Sequence, residues 1–235
     1  MKPLVLGYGR LGKEIVKQTD WDFIDRSTQS FDFSDINTYY KYLCDYDTIV
    51  NCIANTSTYS GTEKELIDTN YKAVCSLTNY CNQTDKKIVH ISSDYIYAGS
   101  TPNATENDVP VHARTWYAYS KLLGDSYVKY FAENYLLIRT SFKEYPFPYE
   151  RAPINQYGNF DYTDIISFLI IKLINKKANG VYNVGTNVKT VYDLATLSNK
   201  NVTPVDGHVI DKNMPLDITM DTEKMNEFIN SNTDL

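Results

Sequence analysis

The stretch LVLGYGRLGKEIV, Leu4 to Val16, places glycines at 7, 9 and 12 between an apolar run and an amphipathic one. The sequence predicts a strand over 2–6 and a helix over 10–18. A strand, then GxGxxG, then a helix is the array that accepts a pyrophosphate. Gly7 permits the tight turn, Gly9 lets a phosphate approach the backbone, and Gly12 lets helix pack on strand. The free N–H groups of the first helical turn, carried by Arg10, Leu11 and Gly12 after Tyr8, then face the phosphates. The competing reading is an ordinary strand–turn–helix corner.

Outward from that loop, strand and helix signals alternate. A short second strand is expected at 22–24, a helix at 36–44, and a buried parallel strand in DTIVNCIA, 47–54. Ser60 and Glu63 match a capping box that opens a long helix to about Cys81. Strands at 87–92 and 135–141 flank a helix at 116–134. This alternation implies a Rossmann-type α/β fold, a doubly wound parallel sheet that binds ligands at its strand carboxyl ends. Residues 1–142 then form the dinucleotide-binding domain. Residues 143–235 form a small, reduced substrate lobe interleaved with it as one compact unit. FKEYPFPYERAP, from Phe142, reads as a loop, followed by a helix at 162–177, a strand at 180–185, a short helix at 191–197 and an acidic, weakly amphipathic tail.

The bulk numbers narrow the function. A net charge of −6 offers no basic surface to nucleic acid or to an anionic membrane. No apolar run reaches the length of a bilayer span. Four cysteines without metal spacing or a disulfide framework suit a reducing cytoplasm, and no metal site is expected.

WDFIDRS sets Asp25 at the end of the second strand. A carboxylate there accepts from ribose hydroxyls, whereas the guanidinium of Arg26 is suited to a 2′-phosphate, so NADH and NADPH both stay open. A solvated surface charge is the alternative for Arg26. Asp32 and Phe33 are placed to lie along an adenine, with helix capping by Ser34 or Asp35 as the rival role.

In a chain with 21 tyrosines, a Tyr-x-x-x-Lys spacing is expected once or twice by chance, and the chain contains one. The spacing Tyr117/Lys121 acquires meaning from its company: the glycine loop, VNCIANT, VHISSDYIYAG and LIRTSF stand in order around it. With these motifs the chain resembles the extended short-chain dehydrogenase/reductases, and within them the dTDP-4-dehydrorhamnose reductases. The resemblance spans roughly residues 3–142 and continues more weakly through GNFDYTDII, GVYNVG and MPLDITMDTEKM.

That resemblance implies an NAD(P)H-dependent reductase of a nucleotide-linked 4-keto-6-deoxy sugar, a monomer or a homodimer, with Ser93, Tyr117 and Lys121 as its triad. Hydride delivery builds negative charge on a ketone oxygen. A phenol must donate a proton there, and Ser93 can bond the same oxygen. The Lys121 ammonium favours the phenolate and can hold ribose hydroxyls. Tyr119, lacking a lysine one turn on, is expected to pack. The resemblance further implies that Ile53, Ala54, Asn55 and Thr140, with Arg139 and Ser141, line the cofactor, that Asn70 supports the site, and that Asp94, Tyr95 and Phe142 border the sugar. Packing is the rival role for each. Two departures stand out: the glycine loop is one residue shorter than the family's usual GxxGxxG, and the chain is short after Ser141.

Two other functions compete. A sugar-nucleotide epimerase or dehydratase uses the same scaffold, but the dehydratases carry an Asp-Glu pair where this chain has Asp94 and Tyr95. A non-catalytic NADP-binding regulatory subunit has no need of the full triad.

Overall fold

The computed structural model describes residues 2–108 and 115–231. Arg114, just before the helix that carries Tyr117, and the last four residues of the acidic tail lie outside it.

Six strands form one parallel sheet: β1 (Leu4–Leu6), β2 (Asp22–Ile24), β3 (Thr48–Asn51), β4 (Lys87–Ile91), β5 (Tyr135–Thr140) and β6 (Gly180–Val184), in the spatial order β6-β5-β4-β3-β1-β2. The expected doubly wound fold is what the chain adopts. Leu4 is in register with Asp22 on one side and Ile49 on the other. The chain therefore leaves β1 for β2 and returns across it to β3. The order reverses between β1 and β3, where ligands of such sheets bind.

By contacts the chain divides into two compact units. The first comprises Met1–Ser92, Thr115–Ile138 and Asn179–Val181; the second comprises Ser93–Arg114, Arg139–Ala178 and Tyr182–Leu235. In the first, Leu4, Leu6, Ile49, Ile88 and Leu137 from the sheet pack with Val74 and Leu77 of the Ala73–Gln83 helix and with Phe31, Phe33, Tyr39 and Leu43. In the second, Phe160 and Tyr162 pack with Val191 and Leu194 of the Val191–Ser198 helix. No helix among the described residues is long and apolar enough to cross a membrane.

Three local expectations are corrected. The segment 36–44 is two 3-10 turns, Ile36–Thr38 and Tyr40–Tyr42, not one helix. Thr38 Oγ1 takes the carbonyls of Asp32 and Asp35, and Tyr39 is drawn wholly into the core. The capping box belongs to Thr62 and Glu65, not Ser60 and Glu63. Gly61 N–H donates to the Ser57 carbonyl, which closes a turn over the residues where the helix was expected to begin. The helix is also not continuous: Glu63–Ile67 and Ala73–Gln83 are joined by a π turn, Asp68–Lys72.

Smaller differences have visible causes. The Trp116–Phe131 helix stops short of Asn134 because Asn82 caps it, donating to the Phe131 carbonyl and accepting from Glu133 N–H. FKEYPFPYERAP is not wholly a loop: Phe142–Lys143 pairs with Asp161–Tyr162, and Arg151–Pro153 with Thr203–Val205. The tail forms one helix, Glu223–Asn230.

Candidate functional site

Gly7 adopts φ +99°, and a Cβ there would stand 2.6 Å from Ile53 Cγ1 in the turn after β3. A Cβ on Gly12 would lie 2.0 Å from the Gly7 carbonyl oxygen, so the helix can seat against the loop only as glycine. Gly9 differs: a Cβ there would meet nothing within 4 Å. It caps the Arg10–Gln18 helix with no side-chain hydrogen bond. Open space beside a helix N-terminus suits a phosphate. Around it, Leu11 is buried, Arg10 is exposed, and the Tyr8 ring stacks on Phe23 at 4.0 Å.

After β2, Asp25 caps its own turn. Its Oδ1 accepts from the N–H and hydroxyl groups of both Ser27 and Thr28, and the Ser27 hydroxyl leads in holding the carboxyl below its ordinary range. Arg26 is exposed on that turn. Asp32 accepts from Ser34 N–H and Oγ, while Asp35 caps the following 3-10 turn, as its rival role anticipated. Phe33 lies in the core against Tyr39, 4% exposed.

Ile53, Ala54 and Asn55 are half-buried in the turn after β3. Asn70, buried in the π turn, holds that turn from behind. Its Oδ1 accepts from Asn55 N–H at 2.8 Å, and its Nδ2 donates to the Asn55 carbonyl at 2.9 Å and to Ser120 Oγ at 3.0 Å. The extra residue of a π turn is a common way to aim one side chain off a helix. Asn70→Ala is expected to lower the unfolding free energy by on the order of 3 kcal/mol through the orphaned Asn55 groups, measured by urea denaturation.

Thr115 caps the Trp116–Phe131 helix through Ala118 N–H. Tyr117 and Lys121 follow one turn apart on one face. Tyr119 is 42% exposed, edge-on to Trp116. Lys121 is 2% exposed, and its Nζ donates to the Ile91 carbonyl at 2.7 Å, two residues before Ser93 in the chain. Burial brings its pKa down to about 8, with Asp125 and Cys52 opposing. Close helix contact makes this placement possible: a Cβ on Gly124 would lie 2.3 Å from the Asn70 carbonyl oxygen.

Ser93 opens the second unit. It is buried and caps the Asp94–Tyr97 turn, its Oγ accepting from Tyr95 N–H and donating to Asp94 Oδ1 at 3.3 Å. The Tyr95 hydroxyl accepts from Gln156 Nε2. Phe142 is half-buried beside Asp161 in its short ladder. Thr140 Oγ1 donates to the Val184 carbonyl, and Arg139 donates to Tyr97 Oη and the Glu106 carbonyl; both side chains are buried in these bonds.

Sequence reasoning passed over one pair. Asn51 and His90 are register partners on β3 and β4, both wholly buried, with Asn51 Nδ2 3.1 Å from His90 Nδ1. Asn51 Oδ1 also accepts from Ile53 N–H, so the pair braces the turn that carries Ile53 to Asn55. Burial, reinforced by the Lys121 charge, holds the imidazole neutral, well below its ordinary pKa. The signal was a polar residue near the end of each apolar strand run.

Comparison with known proteins bears on the family. Residues 1–143 match the family described as RmlD substrate binding domain. The spore coat polysaccharide biosynthesis protein SpsK of Bacillus subtilis is 28% identical, over 83% of this chain and 77% of that protein. A hypothetical dTDP-4-dehydrorhamnose reductase from Sulfolobus tokodaii superposes with a TM-score of 0.81 at 22% identity, over 97% of this chain and 94% of that one. The dTDP-4-dehydrorhamnose reductase from Bacillus anthracis, solved in complex with NADP, superposes with a TM-score of 0.82 at 20% identity, over 96% and 92% of the two chains. The family match takes in more than half of the sequence, from the glycine loop through LIRTSF, and on it this chain belongs to the RmlD substrate binding domain family.

Proposed function

We propose that the protein reduces a nucleotide-linked 4-keto-6-deoxy sugar with NADPH or NADH. The observation that carries this reading is the placement of Lys121. A buried amine, fixed on the last residue of β4 and one helical turn from Tyr117, has the position and the near-neutral pKa that proton delivery to a ketone calls for.

The cofactor's pyrophosphate fits Gly7–Gly12, where Gly9 leaves open space, and Ile53, Ala54 and Asn55 line the same switch point. When bound, NAD(P)H supplies the hydride. The chain's own groups do the rest. Tyr117 gives its phenolic proton to the ketone oxygen, Lys121 favours that release and binds ribose hydroxyls, and Ser93 donates to the same oxygen. Asp94, Tyr95 and Phe142 border the sugar. The test is incubation with dTDP- or UDP-4-keto-6-deoxyglucose and NADPH. A product heavier by two hydrogens is expected. Loss of water instead indicates a dehydratase, and cofactor binding without turnover indicates a regulatory subunit.

The cofactor preferred is NADPH. The Asp25 carboxylate is turned into its own helical turn, and the exposed Arg26 stands beside it. Arg26→Ala is expected to weaken NADPH binding by roughly tenfold or more and to leave NADH affinity within about twofold, measured by fluorescence titration. Equal loss for both cofactors would contradict the assignment.

A further inference from the structure

In the Asp94–Tyr97 turn, Asp94, Ile96 and Tyr97 are buried and Tyr95 is half-buried. The chain of that turn is secured without Tyr95. Ser93 caps its start. At its end Tyr97, 1% exposed, has its hydroxyl fixed: it accepts from Arg139 Nη1 at 2.6 Å and lies 2.9 Å from Asn183 Oδ1 and 3.0 Å from the Thr105 carbonyl. These anchors hold the backbone. The Tyr95 ring has two side-chain torsions of its own, which they leave unset.

Gln156 meets the Tyr95 hydroxyl from elsewhere in the second unit and is 2% exposed. Its Nε2 carries two hydrogens. One goes to Tyr95 Oη at 3.1 Å and the other to the Pro215 carbonyl at 3.0 Å. Turning the amide over would set its oxygen against that carbonyl, so the donor stays aimed at Tyr95. The Gln156 backbone is held as firmly. Its carbonyl accepts from Val191 N–H at 3.2 Å, and the next residue, Tyr157, donates to the Leu216 carbonyl at 2.7 Å and accepts from Ile218 N–H at 3.0 Å. A buried amide is desolvated for bonds of modest net worth, so packing alone would favour an apolar side chain there. One of its two bonds goes instead to a half-buried ring that, on the reading above, borders the sugar.

We propose that Gln156 is the positioning residue for Tyr95. It sets the direction of the ring before the sugar arrives, so that binding need not order it. Because Ser93 and Tyr97 fix the turn independently, Gln156 acts on substrate binding and leaves the chemical step alone. The inference rests on the sugar-nucleotide reading and adds to it a residue from outside the Ser93–Tyr97 segment.

Wild type, Gln156→Met, Tyr95→Phe and the double variant are compared in KM and kcat for a 4-keto-6-deoxy sugar nucleotide and in NADPH affinity. Gln156→Met keeps the length of the side chain and removes the donor. It is expected to raise KM roughly three- to tenfold, the worth of ordering one side chain, with kcat and NADPH affinity within about twofold of wild type. Tyr95→Phe removes the same bond from the other end and leaves the amide with Pro215. It should raise KM at least as much, and adding Gln156→Met to it should change KM by less than about twofold. A residue that only supported the fold would add its own loss in both backgrounds. A KM within about twofold of wild type in Gln156→Met, or an equal factor in the two backgrounds, overturns the proposal. If urea denaturation shows that Gln156→Met does not fold, Tyr95→Phe decides alone: a raised KM with kcat retained supports the proposal, and an unchanged KM overturns it. If wild type does not reduce the ketone, the reductase reading fails by itself, and the same four proteins are compared by calorimetric titration with dTDP-glucose. A weakening in Gln156→Met that the Tyr95→Phe background abolishes then supports positioning; equal binding, or none in wild type, overturns it.

Discussion

Tyr117→Phe is expected to lower kcat/KM for the keto-sugar nucleotide by about 10³-fold while leaving NADPH affinity within about twofold. The substitution removes one oxygen and keeps the ring, which is half-buried on the Trp116–Phe131 helix. Helix, cap and Lys121 contact need no change, since Thr115 caps through Ala118 and the amine is held by Ile91. What disappears is the proton for the developing alkoxide. Ser93 can stabilise that charge but cannot neutralise it as well as a phenol whose proton release is favoured by an ammonium one turn away. Stopped-flow records of NADPH oxidation, with urea denaturation as the control for folding, give the measurement. A loss smaller than about tenfold would remove Tyr117 from the role of proton donor.

The parts of this molecule that a sequence discloses are those governed by short-range rules. The helix from Arg10 to Gln18 and the strand from Asp22 to Ile24 are bounded where the pattern places them, because glycine and apolar periodicity act over a few residues. The segment after Asp35 reads as a helix because its aromatic run resembles a helix face, whereas Tyr39 is buried in the cluster that the sheet residues Leu4 and Ile49 share, which no local pattern reveals. The π turn at Asn70 was hidden for a similar reason: the extra residue answers to Asn55 and Ser120, 15 and 50 positions away. The family motifs gave Asn70 a supporting role without saying what it supports.

Lys121→Met is expected to abolish most activity and, at the same time, to stabilise the cofactor-free protein near neutral pH. The two effects share one cause. Burial brings the amine's pKa from the ordinary 10.5 down to about 8. Between these values an unfolded chain carries a proton that the folded one has released. Folding stability therefore rises with pH from about 8 to about 10.5, and at pH 7 the folded state carries the full penalty of the buried ammonium, roughly 3 kcal/mol less whatever the Ile91 bond restores. Methionine fills the same space without a charge. In urea titrations at pH 7, 8.5 and 10, the wild type should be the less stable protein at pH 7 and should gain on the variant as pH rises. Equal slopes would show that the amine is not confined as its bond to Ile91 requires. Activity should fall by roughly 10²- to 10⁴-fold, since methionine can neither favour the Tyr117 proton transfer nor bond ribose hydroxyls. A residue kept for packing would lose stability on replacement and keep its chemistry; Lys121 is expected to do the reverse, because an amine poised near neutral pH is useful to Tyr117 only while the fold bears the strain of burying it.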